Sequence, residues 1–171
     1  ELAAWGEALP SGAFPLAVSL LPGLARIAPT PAAAVPSPRD VAALLAEPAR
    51  GRARLSHVKL KADGALTTRT AWLREPYADA PHAGGPVHEP GALAERIRHA
   101  VAAGWGVATH AIGDAAIVAV LEAYATASAP PGVAHRVEHA MLLDGDLLAR
   151  LATSGAWAVV QPEFLAWAGA T

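Results

Sequence analysis

Three side chains in this sequence, Lys59, His110 and His139, have the types and the spacing to hold a divalent metal ion. Neutral imidazole is a standard ligand for zinc and its relatives. The two histidines follow Gly106-Val107-Ala108-Thr109 and Arg136-Val137-Glu138, apolar runs that would end as strands where each histidine begins. Either histidine alone reads equally well as one satisfied by a backbone carbonyl. Two of them at successive strand ends, after a strand that carries an inward lysine, form a set that plain packing does not predict.

The lysine needs its own argument. Along Leu55 to Asp63 the side chains alternate, so that His57, Lys59, Lys61 and Asp63 share one face while Val58, Leu60 and Ala62 share the other. The apolar set belongs against helices, which turns at least one lysine toward the interior. An unpaired ammonium there is costly and tends to lose its proton. The neutral amine is the form that reacts with carbon dioxide to give a carbamate, an anionic oxygen ligand that can bridge metals. The competing readings are a lysine in a structural ion pair or at a solvated strand end, and Lys61, nearer that end, can extend its ammonium into water.

Other polar residues stand close by in sequence. Glu138 can orient a ligand or pair with Arg136, and the pairing is the simpler role. Gln161 lies just past a further apolar run. Arg69, Tyr77, His82 and His88 fall between Asp63 and Glu89, a stretch too polar and too rich in Gly and Pro to be core. Long loops at the mouth of a fold commonly bind substrate, which makes Arg69, Tyr77 and Gln161 substrate-binding candidates. His82 and His88 read as ordinary loop histidines. No glycine-rich phosphate loop, GxSxG elbow or helical HExxH occurs.

The elements that must position these residues follow a βα rhythm. Strands are expected at Leu55 to Lys61, Trp105 to Thr109, Val133 to Glu138 and Ala156 to Val160. Helices are expected at Leu93 to Ala103, closed by Gly104, at Ala115 to Ala127, and at Asp146 to Thr153. Upstream, Phe14 to Leu21 fits a buried strand and Ala28 to Pro38 a loop. Ser37-Pro38-Arg39-Asp40 opens a helix expected to end near Glu47-Pro48. Short strands covered on both faces, each followed by a helix, imply parallel pairing. An open doubly wound sheet shows the same alternation. The polar residues at several strand ends, which only a closed barrel brings to one mouth, favour a partial (β/α)8 TIM barrel, about strands 3 to 7.

Composition bounds the rest. The 171 residues suffice for one core-forming domain, and residues 1–171 read as a single partial barrel. With 53% hydrophobic and 16% charged residues the chain is too apolar for disorder. A net charge of -2 and the absence of basic clusters argue against nucleic-acid binding. There is no cysteine, so a metal would be held by His, carboxylate or a modified side chain. No apolar run reaches the roughly 18 to 20 residues of a membrane span. A soluble, cytoplasmic protein with a small-molecule partner is expected, and a homo-oligomer is compatible with so apolar a chain.

In order, Val58-Lys59-Leu60-Lys61-Ala62-Asp63-Gly64 through Thr70-Ala71, Glu75-Pro76-Tyr77-Ala78-Asp79, His110-Ala111-Ile112-Gly113-Asp114, Arg136-Val137-Glu138-His139-Ala140 and Val160-Gln161-Pro162 resemble the amidohydrolase-3 family, the YtcJ-like hydrolases of the amidohydrolase superfamily. The likeness is strongest over residues 55–169. It implies a (β/α)8 barrel with one or two divalent metal ions, usually zinc. Lys59, often carboxylated in such proteins, would be the ligand on the fourth strand, His110 on the fifth and His139 on the sixth. The implied reaction is hydrolysis of C–N bonds other than peptide bonds, in amides, formamides or cyclic amides, with these three residues as the catalytic centre. The family also carries an HxH pair on its first strand and an aspartate on its last. This chain has no HxH and reaches Thr171 soon after its apparent seventh strand, so a fragment, inactive alone, is expected. Lys61 stands where the family usually has an aromatic or apolar residue, which keeps it as a second candidate for the bridging lysine. The alternative reading is a non-catalytic α/β binding module on the same scaffold.

Overall fold

Apolar alternation becomes parallel strands in the computed structural model, which describes residues 17–30, 32–45, 52–89 and 91–164. The elements run β1 (Val18–Ser19), α1 (Leu24–Ile27), α2 (Pro38–Ala42), β2 (Ala53–Arg54), β3 (His57–Lys61), α3 (Ala92–Ala102), β4 (Gly106–Ala111), α4 (Asp114–Thr126), β5 (Arg136–His139), α5 (Gly145–Thr153) and β6 (Trp157–Val159). Strands β3, β4, β5 and β6 form one parallel sheet in chain order, with a helix between each consecutive pair. Beside β3 runs the segment from β1 to Gly23. It pairs in parallel with β2, and then Pro22 accepts from the Lys59 amide at 2.9 Å.

The parallel βα order expected of a partial barrel is present, but the described residues do not form a barrel. Their sheet is open, because closing a cylinder takes about eight strands and their tilt. The helix that begins at Pro38 also ends earlier than expected. Ser37 and Asp40 make the reciprocal cap and Pro38 takes the first turn as the sequence indicates. After Ala42, however, Leu44 and Leu45 donate to carbonyls only three residues back. The tightened turn buries Leu45 against Val18, Leu20, Ala53 and Leu55, which ties α2 to the β1–β2 pair. The expected end at Glu47-Pro48, like Phe14 to Leu16, lies outside the described residues.

The core lies on the helix side of the sheet. Val58, Leu60, Val107 and Val137 are buried there with Ile97 of α3, Ile117, Val120 and Leu121 of α4, and Leu147 and Leu151 of α5. Each such burial contributes roughly 1.5–3 kcal/mol. Gly104, at φ 92°, reverses the chain after α3 so that Trp105 enters the core, its indole N–H donating to Pro36 at 2.7 Å. Tyr124 of α4 stitches two strands: its buried hydroxyl lies 2.7 Å from Thr109 Oγ1 and 2.9 Å from the Arg136 carbonyl. Among the described residues no helix is long and apolar enough to cross a membrane.

Candidate functional site

Register decides which side chains meet on the other face. Lys59 pairs with Ala108, Ala108 with Arg136, and Arg136 with Trp157. Two residues further on, Lys61 pairs with His110 and His110 with Glu138. Residues paired across parallel strands share a face, as do residues two apart. Lys59, Lys61, His110, Arg136 and Glu138 therefore stand together opposite the buried valines. Lys59 is half-buried and, among the described residues, has no ion-pair partner. Burial lowers its pKa, Glu138 pulls it back up, and Arg136 and Lys61 push it down. Lys61 is exposed, and Glu138 pairs with Arg136 Nε at 2.8 Å.

Regular alternation would send His139 to the helix side with Val137. It does not go there. His139 has φ 76° and Ala140 φ 44°, a left-handed turn that costs of order 1–3 kcal/mol per residue and breaks the alternation at the strand end. The ring comes to lie edge-on to His110, with centroids 4.6 Å apart and planes at 73°.

Each imidazole is held by one nitrogen. His110 Nε2–H donates to the Gly64 carbonyl at 2.7 Å, which leaves Nδ1 with its lone pair. His139 Nδ1–H donates to Gln161 Oε1 at 2.7 Å, which leaves Nε2 free. Desolvation, largest among the causes, lowers the pKa of His110, and neighbouring His139 adds to it. The arrangement matches the way metal-binding histidines are oriented by a partner on their far nitrogen. Two imidazoles, each with one ring nitrogen outside these bonds, and a lysine on the same sheet face whose charge burial disfavours are a donor set that suits zinc or a similar ion. Among the described residues no three His, Cys, Asp or Glu side chains cluster as ligands, so the third candidate on this face is the lysine.

The other candidates are placed differently. Gln161 is brought to the pair, as the orienting partner of His139. Arg69 and Tyr77 are not. Arg69 is exposed and forms a two-pronged ion pair with Asp79 inside the long loop. Tyr77 donates its hydroxyl to Ala71 at 2.9 Å and packs edge-on against His82. His88 is partly buried, and both desolvation and Arg96 lower its pKa.

Asp63, placed by the sequence on the face of Lys59 but given no role there, proves to be a central contact of the site. Its carboxylate is fully buried and accepts from the amides of Trp72 (3.0 Å), Ile112 (3.1 Å) and Gly113 (2.8 Å). His110 Nε2 lies 3.5 Å away. In sequence, Asp63-Gly64 looks like an ordinary turn signal, and nothing local marks the aspartate as buried. Arg74 was also missed; it reaches both Asp114 at the start of α4 and Asp144, the cap of α5. The loop of residues 62–89 is thus fastened to two neighbouring strand ends.

A parallel α/β sheet with polar side chains gathered at its strand C-termini defines the class of fold in which sites form at that edge. Within that class the chain belongs to the amidohydrolase family, amidohydrolase family 3, whose match covers residues 1–170. It is 43% identical over 110 residues to YtcJ of Bacillus subtilis, a protein named as an amidohydrolase; the match covers 64% of this chain and 21% of that one. The fold is similar to an uncharacterized metal-dependent hydrolase from Pyrococcus furiosus, at TM-score 0.61 and 39% identity over 67% of this chain and 24% of that one. A Pyrococcus horikoshii metal-dependent hydrolase matches at TM-score 0.61 and 38% identity, over 67% and 23%. The chain spans less than a quarter of the length of each of these relatives.

Proposed function

We propose that this chain is the part of a (β/α)8 barrel hydrolase that supplies Lys59, His110 and His139 to a divalent metal centre, zinc by preference. The substrate class is a small molecule with a C–N bond other than a peptide bond. The observation that carries the reading is the His110–His139 pair, two rings edge-on to one another, each tethered through one nitrogen and with the other left outside that bond. Bound there, the ion would polarise a carbonyl oxygen and acidify a water. The chain's own residues keep both imidazoles oriented. Burial of Lys59 favours its amine form, the form that carbamylation requires. Gln161 fixes His139. Arg69 and Tyr77 act on substrate through the shape of the loop that they brace.

One observation favours a second reading, a binding module without catalysis: the lack of a three-residue His, Cys, Asp or Glu cluster among the described residues. Two measurements separate the readings. Zinc titration of the chain with bicarbonate should reveal a site lost in His110→Ala and His139→Ala. A chimera in which this chain replaces its counterpart in the Bacillus relative should hydrolyse formamides or cyclic amides in a zinc-dependent way. Zinc bound without hydrolysis by the chimera would favour the module, and equal zinc affinity in the parent and both alanine variants would overturn the ligand assignment.

A further inference from the structure

The histidine pair does not hold itself in place. Beside His110 lies the carboxylate of Asp63, fully buried, with its three backbone donors drawn from two segments far apart in sequence. Two of those donors, Ile112 and Gly113, form the turn directly after His110. The third, Trp72, belongs to the loop after β3. We propose that Asp63 is the positioning residue of the two-histidine centre, selecting the His110 tautomer and fixing both strand ends that carry the rings. This rests on the metal-centre reading above for its purpose, but not for its geometry.

Three contacts support it. First, Asp63 sets the next peptide unit, so the Gly64 carbonyl meets His110 Nε2 at 2.7 Å. The carboxylate Oδ1 lies 3.5 Å behind the same nitrogen. Both acceptors favour a proton on Nε2 and a lone pair on Nδ1. Second, the turn gripped by Asp63 reaches the other histidine: Ala111 accepts from Ala140 at 3.1 Å and Ile112 accepts from Leu142 at 3.1 Å. The strained residues His139 and Ala140 are thereby held from the β4 side. Third, the fit has no slack. A Cβ at Gly113 would stand 1.9 Å from the Trp72 carbonyl, and one at Gly64 2.0 Å from Thr70 Oγ1. Only a backbone without side chains at those two points lets the loop and the turn close on one carboxylate.

The test uses the 171-residue chain, its Asp63→Asn variant and an Asp79→Asn control that removes an exposed loop carboxylate instead. Long-range proton–nitrogen NMR of the imidazoles reads the tautomer, hydrogen exchange reads the Ile112 and Gly113 amides, and calorimetry with zinc reads affinity. In the parent, His110 should be a single Nε2–H tautomer and both amides should exchange slowly. In Asp63→Asn the His110 signal should become a mixture of tautomers, with zinc affinity about 10- to 100-fold weaker, the range for partners that orient a metal ligand. Asp79→Asn should change neither. An Nδ1–H tautomer or fast-exchanging amides in the parent would overturn the proposal without any variant, as would an unchanged tautomer in a folded Asp63→Asn. A parent that shows the Nε2–H tautomer yet binds no zinc would refute the metal-centre reading and leave the positioning role standing.

Discussion

At the scale of single residues, the chemistry of the site depends on what holds each ring. Gln161 keeps the proton on His139 Nδ1, so Gln161→Ala should weaken zinc binding by about 10- to 100-fold with little change in unfolding midpoint, because Gln161 is only partly buried. Calorimetry and urea titration on one preparation measure both, and parallel losses would mean a structural role instead. His82→Ala should leave zinc affinity unchanged, since His82 is occupied within the loop, its Nδ1 accepting from Gly84 at 3.2 Å. The histidine pair was legible in sequence because each follows an apolar run, and strand ends are where polar residues gather. How the rings meet was not legible. That depends on a left-handed turn at His139, which the strand pattern leading up to it does not announce, and on a carbonyl from Gly64, 46 positions away in the chain.

Elements place these residues through a few buried polar ties. Tyr124 ties α4 to β4 and β5 through one hydroxyl, and burial raises its pKa well above the ordinary value of 10.0. Tyr124→Phe should cost about 1–3 kcal/mol, the penalty for stranding buried partners, read as a lower urea midpoint with zinc affinity retained. A midpoint equal to the parent's would show that the hydroxyl adds nothing to the packing. The strands and helices after Leu55 were legible to within a few residues because the apolar period is clear there and Gly104 marks the end of α3, whereas the cap of α5, Asp144, emerges only in the structure. The helix at Pro38 began where its capping residues indicate but stopped early. Its end is set by burial of Leu45 against another element, which no local pattern carries.

For the molecule as a whole, parallel order was readable from the βα alternation, whereas barrel curvature was not, because it depends on tilt and stagger between strands rather than on what any one of them contains. Uncovered surface remains at the β6 edge, where Trp157 is 66% exposed and Val160 54%. On the helix side, by contrast, burial is tight enough to couple folding to pH. His135 is 5% exposed. It donates Nε2–H to Ala127 at 2.7 Å, accepts the Val107 amide on Nδ1 at 3.1 Å and stacks on Tyr124. Desolvation, the largest cause, lowers its pKa below 6.5, and His57 adds to the shift. His88 is lowered in the same direction by burial and Arg96. A histidine with a depressed folded pKa is neutral when folded but takes up a proton near 6.5 when unfolded, so the unfolded chain binds more protons in between. Stability should therefore be fully present above about pH 6.5 and be lost as pH falls through the folded values. Asp40, Asp79 and Asp144, whose pKa values are held below 3.8, add their own loss only at lower pH. Urea midpoints taken between about pH 5 and about pH 7.5 should rise with pH and then level off. The slope should shrink in His135→Gln, which has no imidazole to titrate. A flat profile in the parent, or one that falls as pH rises through this window, would contradict the burial of neutral histidines in the core.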